Sequence, residues 1–282
     1  MIERKGLNEG IRRFYDASSG LWEEVWGEHM HHGYWEAGEQ TKDRRLAQVD
    51  LIVRLIDWAA IGTPTSILDV GCGIGGSSLY LAERFGAQVR GITLSPVQCA
   101  RAQVRAAERG LQAQAQFSVA DAHQLPFADA SFDLVWSLES GEHMADKAQF
   151  LGECYRVLKP GGQLLFVTWC CRHGELTARE QSWLAAIYRI YHLPYILSIE
   201  SYADLLVKSG FQGVQQANWS ERVARFWSLV IDSALDPAVF LKVIAQGPEV
   251  IKGALAMQLM RRAYAKNLLR FGVFTAYKGT GR

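Results

Sequence analysis

Two acids and an imidazole fall close together in Ser137-Leu138-Glu139-Ser140-Gly141-Glu142-His143-Met144. An imidazole of near-neutral pKa takes a proton from a phenol or an ammonium, and a carboxylate can orient it. His143 is therefore a candidate general base, with Glu142 or Glu139 as its orienter. On a helix Glu142 and His143 would point about 100° apart. Glu139 and His143, as i and i+4, could share a face.

A second constellation is Ile67-Leu68-Asp69-Val70-Gly71-Cys72-Gly73-Ile74-Gly75-Gly76, where a short apolar run ends in an acid and then glycines. Glycines there permit positive φ and let a ligand touch bare backbone. Gly71, Gly73 and Gly76 satisfy G-x-G-x-x-G. The dinucleotide form of that motif needs an acid about 20 residues further on. The stretch Gln88-Val89-Arg90-Gly91-Ile92-Thr93-Leu94-Ser95 has no carboxylate; the acid precedes the glycines, at Asp69. That position suits a ligand with a positive charge and an amino group near the loop, and S-adenosylmethionine has both. Gly71, Cys72 and Gly73 would then lie against its methionine part, with Asp69 facing the ammonium or capping a helix. Thr93, Leu94 and Gln98 would sit by the ribose and adenine. Asp121-Ala122 would follow, with the acid accepting an adenine amino proton or capping its own loop. Leu138 joins the same cofactor set.

The N-terminal stretch carries His29, His31 and His32 among Trp22, Trp26 and Trp35. Two of these histidines are adjacent and no cysteine accompanies them, so no metal site is expected. An exposed helix would waste the tryptophans. The segment reads as a cap closing over the cofactor, with Tyr15 and Tyr34 near its sulfonium or carboxylate, since a sulfonium can lie against aromatic faces. Trp22, His31, Trp169, Phe226 and Trp227 are the candidates for holding the methyl acceptor.

The elements that must position these residues alternate. A helix over 46–60 is amphipathic, with Leu51, Leu55 and Trp58 at helical spacing. Strands are expected at 66–70, 88–93, 115–119, 132–137 and 163–168, with helices at 77–85, 97–109 and 147–158. Ser95-Pro96 reads as a helix cap and first turn, Gly110 as a helix stop, and Lys159-Pro160-Gly161-Gly162 as a turn. Such alternation implies a doubly wound α/β fold whose ligands bind outside the carboxyl ends of the strands. Further helices are read at 178–191 and 201–209, and strands at 213–219 and 270–278. The fifty residues between those two strands, about 220–269, show helical spacing at Trp227, Leu235, Phe240, Ile244, Ile251 and Leu255. They form either a lid over the active edge or a thickening of the core. The division expected is a cap at 1–45, a cofactor-binding core at 46–180, and the rest of the core with the lid at 181–282, all one domain.

Composition excludes several classes. Of 282 residues 49% are hydrophobic, as in soluble globular proteins, and the formal net charge of +1 gives no electrostatic case for nucleic acid. Five cysteines without a C-x-x-C pair read as reduced thiols. Neither a signal peptide nor an apolar run of about 20 residues is present, so a cytoplasmic protein, with membrane contact at most peripheral, is expected.

With these residues in view, Asp69–Ser78, Ile92–Gln98 and Trp136–Met144 resemble class I S-adenosylmethionine methyltransferases. Together with Ser19–Tyr34, the chain resembles tocopherol O-methyltransferases of photosynthetic organisms, cyanobacterial ones most, over nearly its whole length. The resemblance implies a Rossmann-like, mostly parallel seven-stranded sheet with a helical N-terminal cap and a lid insertion. It implies S-adenosylmethionine as donor, S-adenosylhomocysteine as product, and methylation of a chromanol ring carbon, γ to α or δ to β. A phenol oxygen relieved of its proton would push electron density into that ring, the role expected of His143. The Glu139-x-x-Glu142-His143 spacing also resembles cyclopropane synthases and plant alkaloid N-methyltransferases. An N-methyltransferase of a small amine or indole alkaloid is therefore the competing reading. Either way the partner is a small lipophilic phenol or amine.

Overall fold

A computed structural model describes residues 4–234 and 248–281, with 21, 22, 25, 26, 234 and 248–256 as backbone only. The chain opens on helix α1 (Arg4–Trp26) and α2 (Arg44–Trp58), then enters the alternation: β1 (Ser66–Val70), α3 (Gly76–Phe85), β2 (Gln88–Thr93), α4 (Pro96–Glu108), β3 (Ala115–Val119) and β4 (Phe132–Leu138). A single 3₁₀ turn, Gly141–His143, leads to α5 (Lys147–Val157), β5 (Leu158–Cys171), α6 (Ala178–Ile190), α7 (Ile199–Lys208) and β6 (Gln212–Asn218). Helices α8 (Ser220–Val223), α9 (Arg225–Ala234) and α10 (Pro248–Ala265) precede the closing strand β7 (Leu269–Tyr277).

The seven strands lie in the order β3-β2-β1-β4-β5-β7-β6. All neighbours are parallel except β7, which runs antiparallel to both β5 and β6. Strand order reverses direction between β1 and β4, which opens a crevice at their carboxyl ends. Side chains alternate across the sheet. Ile67, Leu134, Trp136 and Leu165 pack with Leu51, Leu55 and Leu79 of α2 and α3 in one core. Leu68, Val135 and Leu164 pack with Leu151 of α5 and Leu206 of α7 in the other. Burial on both faces explains why the central strands read as unbroken apolar runs.

Two local readings need correction. The turn expected at Lys159–Gly162 lies inside β5, where pairing jumps from Phe132↔Leu158 to Leu134↔Gln163. The bulge persists because β7 runs on beside it: Gly161 N–H donates to Lys278 O (2.8 Å) and Lys278 N–H to Gly162 O (2.9 Å). The residues after β4 do not form a helix either. Glu139 turns the chain in the left-handed region (φ +55°) and the 3₁₀ turn follows. Glu139 and His143 therefore share no helical face.

Candidate active site

The crevice is roofed by α1. Asn8, Ile11, Arg12 and Tyr15 line it at i, i+3, i+4, i+7, the spacing of one helix face. Three contacts pin that face to the sheet's edge. Asn8 Nδ2 donates to Asp121 Oδ2 at 2.9 Å, Ser95 Oγ to Asp16 Oδ1 at 2.5 Å, and Arg101 Nη1 to Glu23 Oε2 at 2.5 Å. Ser95 also caps α4, accepting from Gln98 N–H at 3.0 Å. From the other side the buried Gln48 of α2 donates to the carbonyls of His29 (2.6 Å) and His31 (2.9 Å), fixing the histidine loop over the crevice.

Asp69, Gly71, Cys72, Gly73, Thr93 and Leu94 all line the cleft, as do Gln98, Asp121, Ala122, Leu138 and Tyr15. Asp69 accepts from Ser78 Oγ at 2.6 Å, and burial pushes its carboxyl up to about 7. Thr93 Oγ1 donates to Gln98 Oε1 at 2.8 Å. Asp121 accepts from His123 N–H and Nδ1–H at 2.9 and 2.7 Å; the His123 hydrogen bonds hold it at about 2, as a fixed anion. At Gly71 (φ +82°) an added Cβ would sit 2.2 Å from Ser140 Cβ, so glycine is required there by protein packing rather than by a ligand's approach. At Gly73 (φ +53°) a Cβ would meet nothing within 4 Å. The bare, open backbone is at Gly73, and it lies beside a carboxylate that could face an ammonium. The residues fit S-adenosylmethionine.

Tyr34 does not reach this cleft. At Gly33 a Cβ would lie 2.6 Å from Ala47 Cβ, so the chain runs tight against α2. Tyr34 N–H then bonds Ala47 O (2.8 Å), and the ring packs edge-on to Trp219. Trp35 is buried in the same core. The Trp22 side chain lies outside the described residues, as do the side chains of Leu235, Phe240, Ile244, Ile251 and Leu255.

The catalytic triplet divides among three partners. His143 Nε2 meets the Tyr15 hydroxyl at 2.9 Å; burial, with the nearby Lys147 charge, lowers the imidazole to about 4, so it stays neutral. Glu142 accepts from Thr168 Oγ1 at 2.8 Å, and burial followed by the Glu139 charge raises it to about 7. Glu139 accepts from His32 N–H (2.7 Å), His32 Nδ1–H (2.6 Å) and Trp169 Nε1–H (3.0 Å). Neither glutamate orients His143. Glu139 orients His32, a histidine the sequence offered only as a rejected metal ligand. Lys147, whose Nζ donates to the carbonyls of Gly141, Glu142 and Met144 at 3.2, 3.3 and 2.9 Å, holds the loop that carries the triplet.

A second cavity adjoins the first. Its walls are Phe14, Trp169, Tyr191, Phe226, Trp227 and Met257, with His32 beside them. Tyr15, Met30, His31 and Glu139 line both cavities and mark their junction. His31, Trp169, Phe226 and Trp227 thus come together here, and the helices between β6 and β7 roof the cavity. Tyr191 and Met257 were missed; the aromatic run at the end of α6 was the available signal for Tyr191. Four buried polar atoms of this cavity have no hydrogen-bond partner among the described residues: His31 Nε2, His32 Nε2, Tyr191 Oη and Trp227 Nε1. Buried polar atoms are seldom left so, and together they mark a place for a ligand with polar groups.

Residues 68–166 match the family model described as a methyltransferase domain. The chain is 46% identical over 285 residues to a probable chloroplastic tocopherol O-methyltransferase of Oryza sativa subsp. japonica, covering 97% of this chain and 79% of the relative. It is 45% identical over 289 residues to the chloroplastic tocopherol O-methyltransferase of Arabidopsis thaliana, covering 97% and 83%. Among solved structures, a (4+2) cyclase superposes with a TM-score of 0.82 at 29% identity, over 96% of each chain.

Proposed function

We propose, for a chain that belongs to the tocopherol O-methyltransferase family, that the methyl acceptor is the chromanol head group of a tocopherol, methylated at a ring carbon. The enzyme is an S-adenosylmethionine-dependent methyltransferase. The observation that carries the acceptor reading is the aromatic cavity with its four unpartnered polar atoms, joined to the donor cleft at Tyr15, Met30, His31 and Glu139. A flat ring bearing oxygen fills such walls and satisfies such atoms.

Bound S-adenosylmethionine supplies an electrophilic methyl on a sulfonium. The chain supplies orientation and dryness: Trp169, Phe226 and Trp227 wall the ring, and α1 covers the donor. His143, neutral near pH 7 and bonded to the Tyr15 hydroxyl, can receive a proton through that hydroxyl, since Tyr15 lines both cavities. An isoprenoid tail would leave along the lid. Each buried methylene contributes roughly 0.8 kcal/mol, so several raise affinity by orders of magnitude.

The test is incubation with labelled donor and a panel of tocopherols and small amines, with products identified by mass. Ring-methylated tocopherol is expected, with kcat/KM much higher for tailed tocopherol than for tail-less chromanol. An amine product with tocopherols untouched would overturn the reading. Equal kcat/KM values, with no binding to liposomes, would refute a lipid acceptor.

A further inference from the structure

We infer that His32, held by Glu139, is the base that removes the acceptor's phenolic proton. This rests on the acceptor reading above. His143 does not line the acceptor cavity, and its Nε2 is occupied by Tyr15. His32 does line it, only 1% exposed. Its Nδ1 lies 2.6 Å from Glu139 Oε2, an oxygen that can only accept, so in the neutral imidazole the proton sits on Nδ1 and the lone pair on Nε2, the buried atom without a partner among the described residues. This is the arrangement in which a carboxylate fixes an imidazole's tautomer and steadies its protonated form. Burial alone would raise Glu139; the charge of a protonated His32 and the hydrogen bonds it donates outweigh burial and hold the carboxyl below its usual range, so the carboxylate is matched to the imidazolium that the proton transfer forms. Glu139 also occupies a left-handed backbone position, φ +55°, which a residue with a side chain rarely adopts. That turn directs its carboxylate to a residue 107 positions away.

Among the described residues the titratable groups facing the dyad are few. The cap loop brings His31, the 3₁₀ turn after β4 brings Glu142, α10 brings Tyr264, and α1 and the end of α6 bring Tyr15 and Tyr191. β5, α9 and β7 bring Trp169, Phe226, Trp227 and Phe271, which do not titrate.

In the step assigned, the acceptor's O–H bond breaks and an N–H bond forms at His32 Nε2. The freed oxygen pair enters the ring, and the activated ring carbon bonds the methyl as the S–CH₃ bond breaks with its pair left on sulfur. That carbon's own hydrogen then leaves as a proton through the Tyr15 hydroxyl to His143 Nε2. The ring regains its aromaticity, and the oxygen recovers the proton from His32. Glu139 is a positioning residue and touches no reacting atom.

The test uses His32→Gln and Glu139→Gln. The glutamine at 139 keeps the shape but carries no charge, so it cannot steady the imidazolium that forms when His32 takes a proton, and the base is weakened. The first readout is the ultraviolet difference spectrum of bound tail-less chromanol without donor. A free phenol of pKa about 10 is roughly 0.3% ionised at pH 7.5. The wild type is expected to show the bound phenolate band, and both variants to lose it. The second readout is turnover. In Glu139→Gln, kcat should fall roughly 10²–10⁴-fold with KM nearly unchanged, and an acceptor with a fluorine-acidified phenol should restore much of it. Variants that keep the phenolate band and turnover, or a wild type that methylates tocopherol while binding chromanol wholly protonated, would overturn the dyad and leave the acceptor reading standing. A wild type that ionises bound chromanol yet methylates only amines would support the dyad and overturn the acceptor reading alone.

Discussion

Replacing Gly71 and Gly73 separately by alanine should split stability from donor binding, because the two glycines are required for different reasons. At Gly71 the new Cβ, 2.2 Å from Ser140 Cβ, must displace Ser140. That breaks Ser140 Oγ→Val70 O and the Ser137–Ser140 hydroxyl contact, both at 2.8 Å. Two buried hydrogen bonds at about 1 kcal/mol each and a left-handed alanine at roughly 1–2 kcal/mol sum to about 3–4 kcal/mol. With an unfolding entropy of about 2.1 cal/mol/K per residue over 282 residues, Tm should fall by about 5–7 °C. At Gly73 only the backbone cost applies, so Tm should fall by about 2–3 °C. The added methyl there enters the open cleft, and donor affinity should drop at least about tenfold, or 1.4 kcal/mol. Thermal denaturation and calorimetric titration with S-adenosylmethionine read both quantities. A Gly73→Ala protein with unchanged donor affinity would refute the placement of the donor, and a Gly71→Ala protein with unchanged Tm would refute the packing argument.

Three further outcomes are expected. Tyr15→Phe removes the hydroxyl between the junction and His143, and should lower kcat by about 10²-fold or more while donor affinity changes little; stopped-flow turnover with a parallel donor titration checks it. Asp69, raised by burial to about 7, must ionise to face an ammonium, so its ionised fraction and the donor's association constant should rise with pH, by about fifteenfold from pH 5.5 to 7. Asp69→Asn should flatten that slope in titrations at the two pH values. Lys147→Met removes the donor from three loop carbonyls, of which Gly141 O keeps Met144 N–H, and should lower Tm by about 3 °C, at roughly 1 kcal/mol for each of the other two, together with kcat; an unchanged kcat would detach Lys147 from the loop's placement.

The sequence by itself determined the alternation and its chemistry. Ser66–Val70, Gln88–Thr93 and Ala115–Val119 were legible to the residue: the first is a short apolar run buried along nearly its whole length, and the other two, toward the sheet's edge, begin by alternating buried and exposed residues with the strand's period of two. The glycine loop, Asp69, Asp121 and the catalytic loop after β4 were legible because an α/β crossover delivers the carboxyl ends of the parallel strands to one edge. A strand and its following turn are local, and their signals lie within a few residues. Tertiary structure alone decided which carboxylate meets which imidazole. Adjacency favoured Glu142 or Glu139 with His143, but Glu139 lies in a left-handed turn that no local pattern announces. Its partner, His32, arrives on a loop pinned from elsewhere by Gln48 of α2. The same loop carries Tyr34 away from the cofactor, because Gly33 lets the backbone press against Ala47. Contacts between side chains a hundred residues apart depend on how rigid elements dock, and that docking is set by the summed burial of both cores rather than by any segment's own residues.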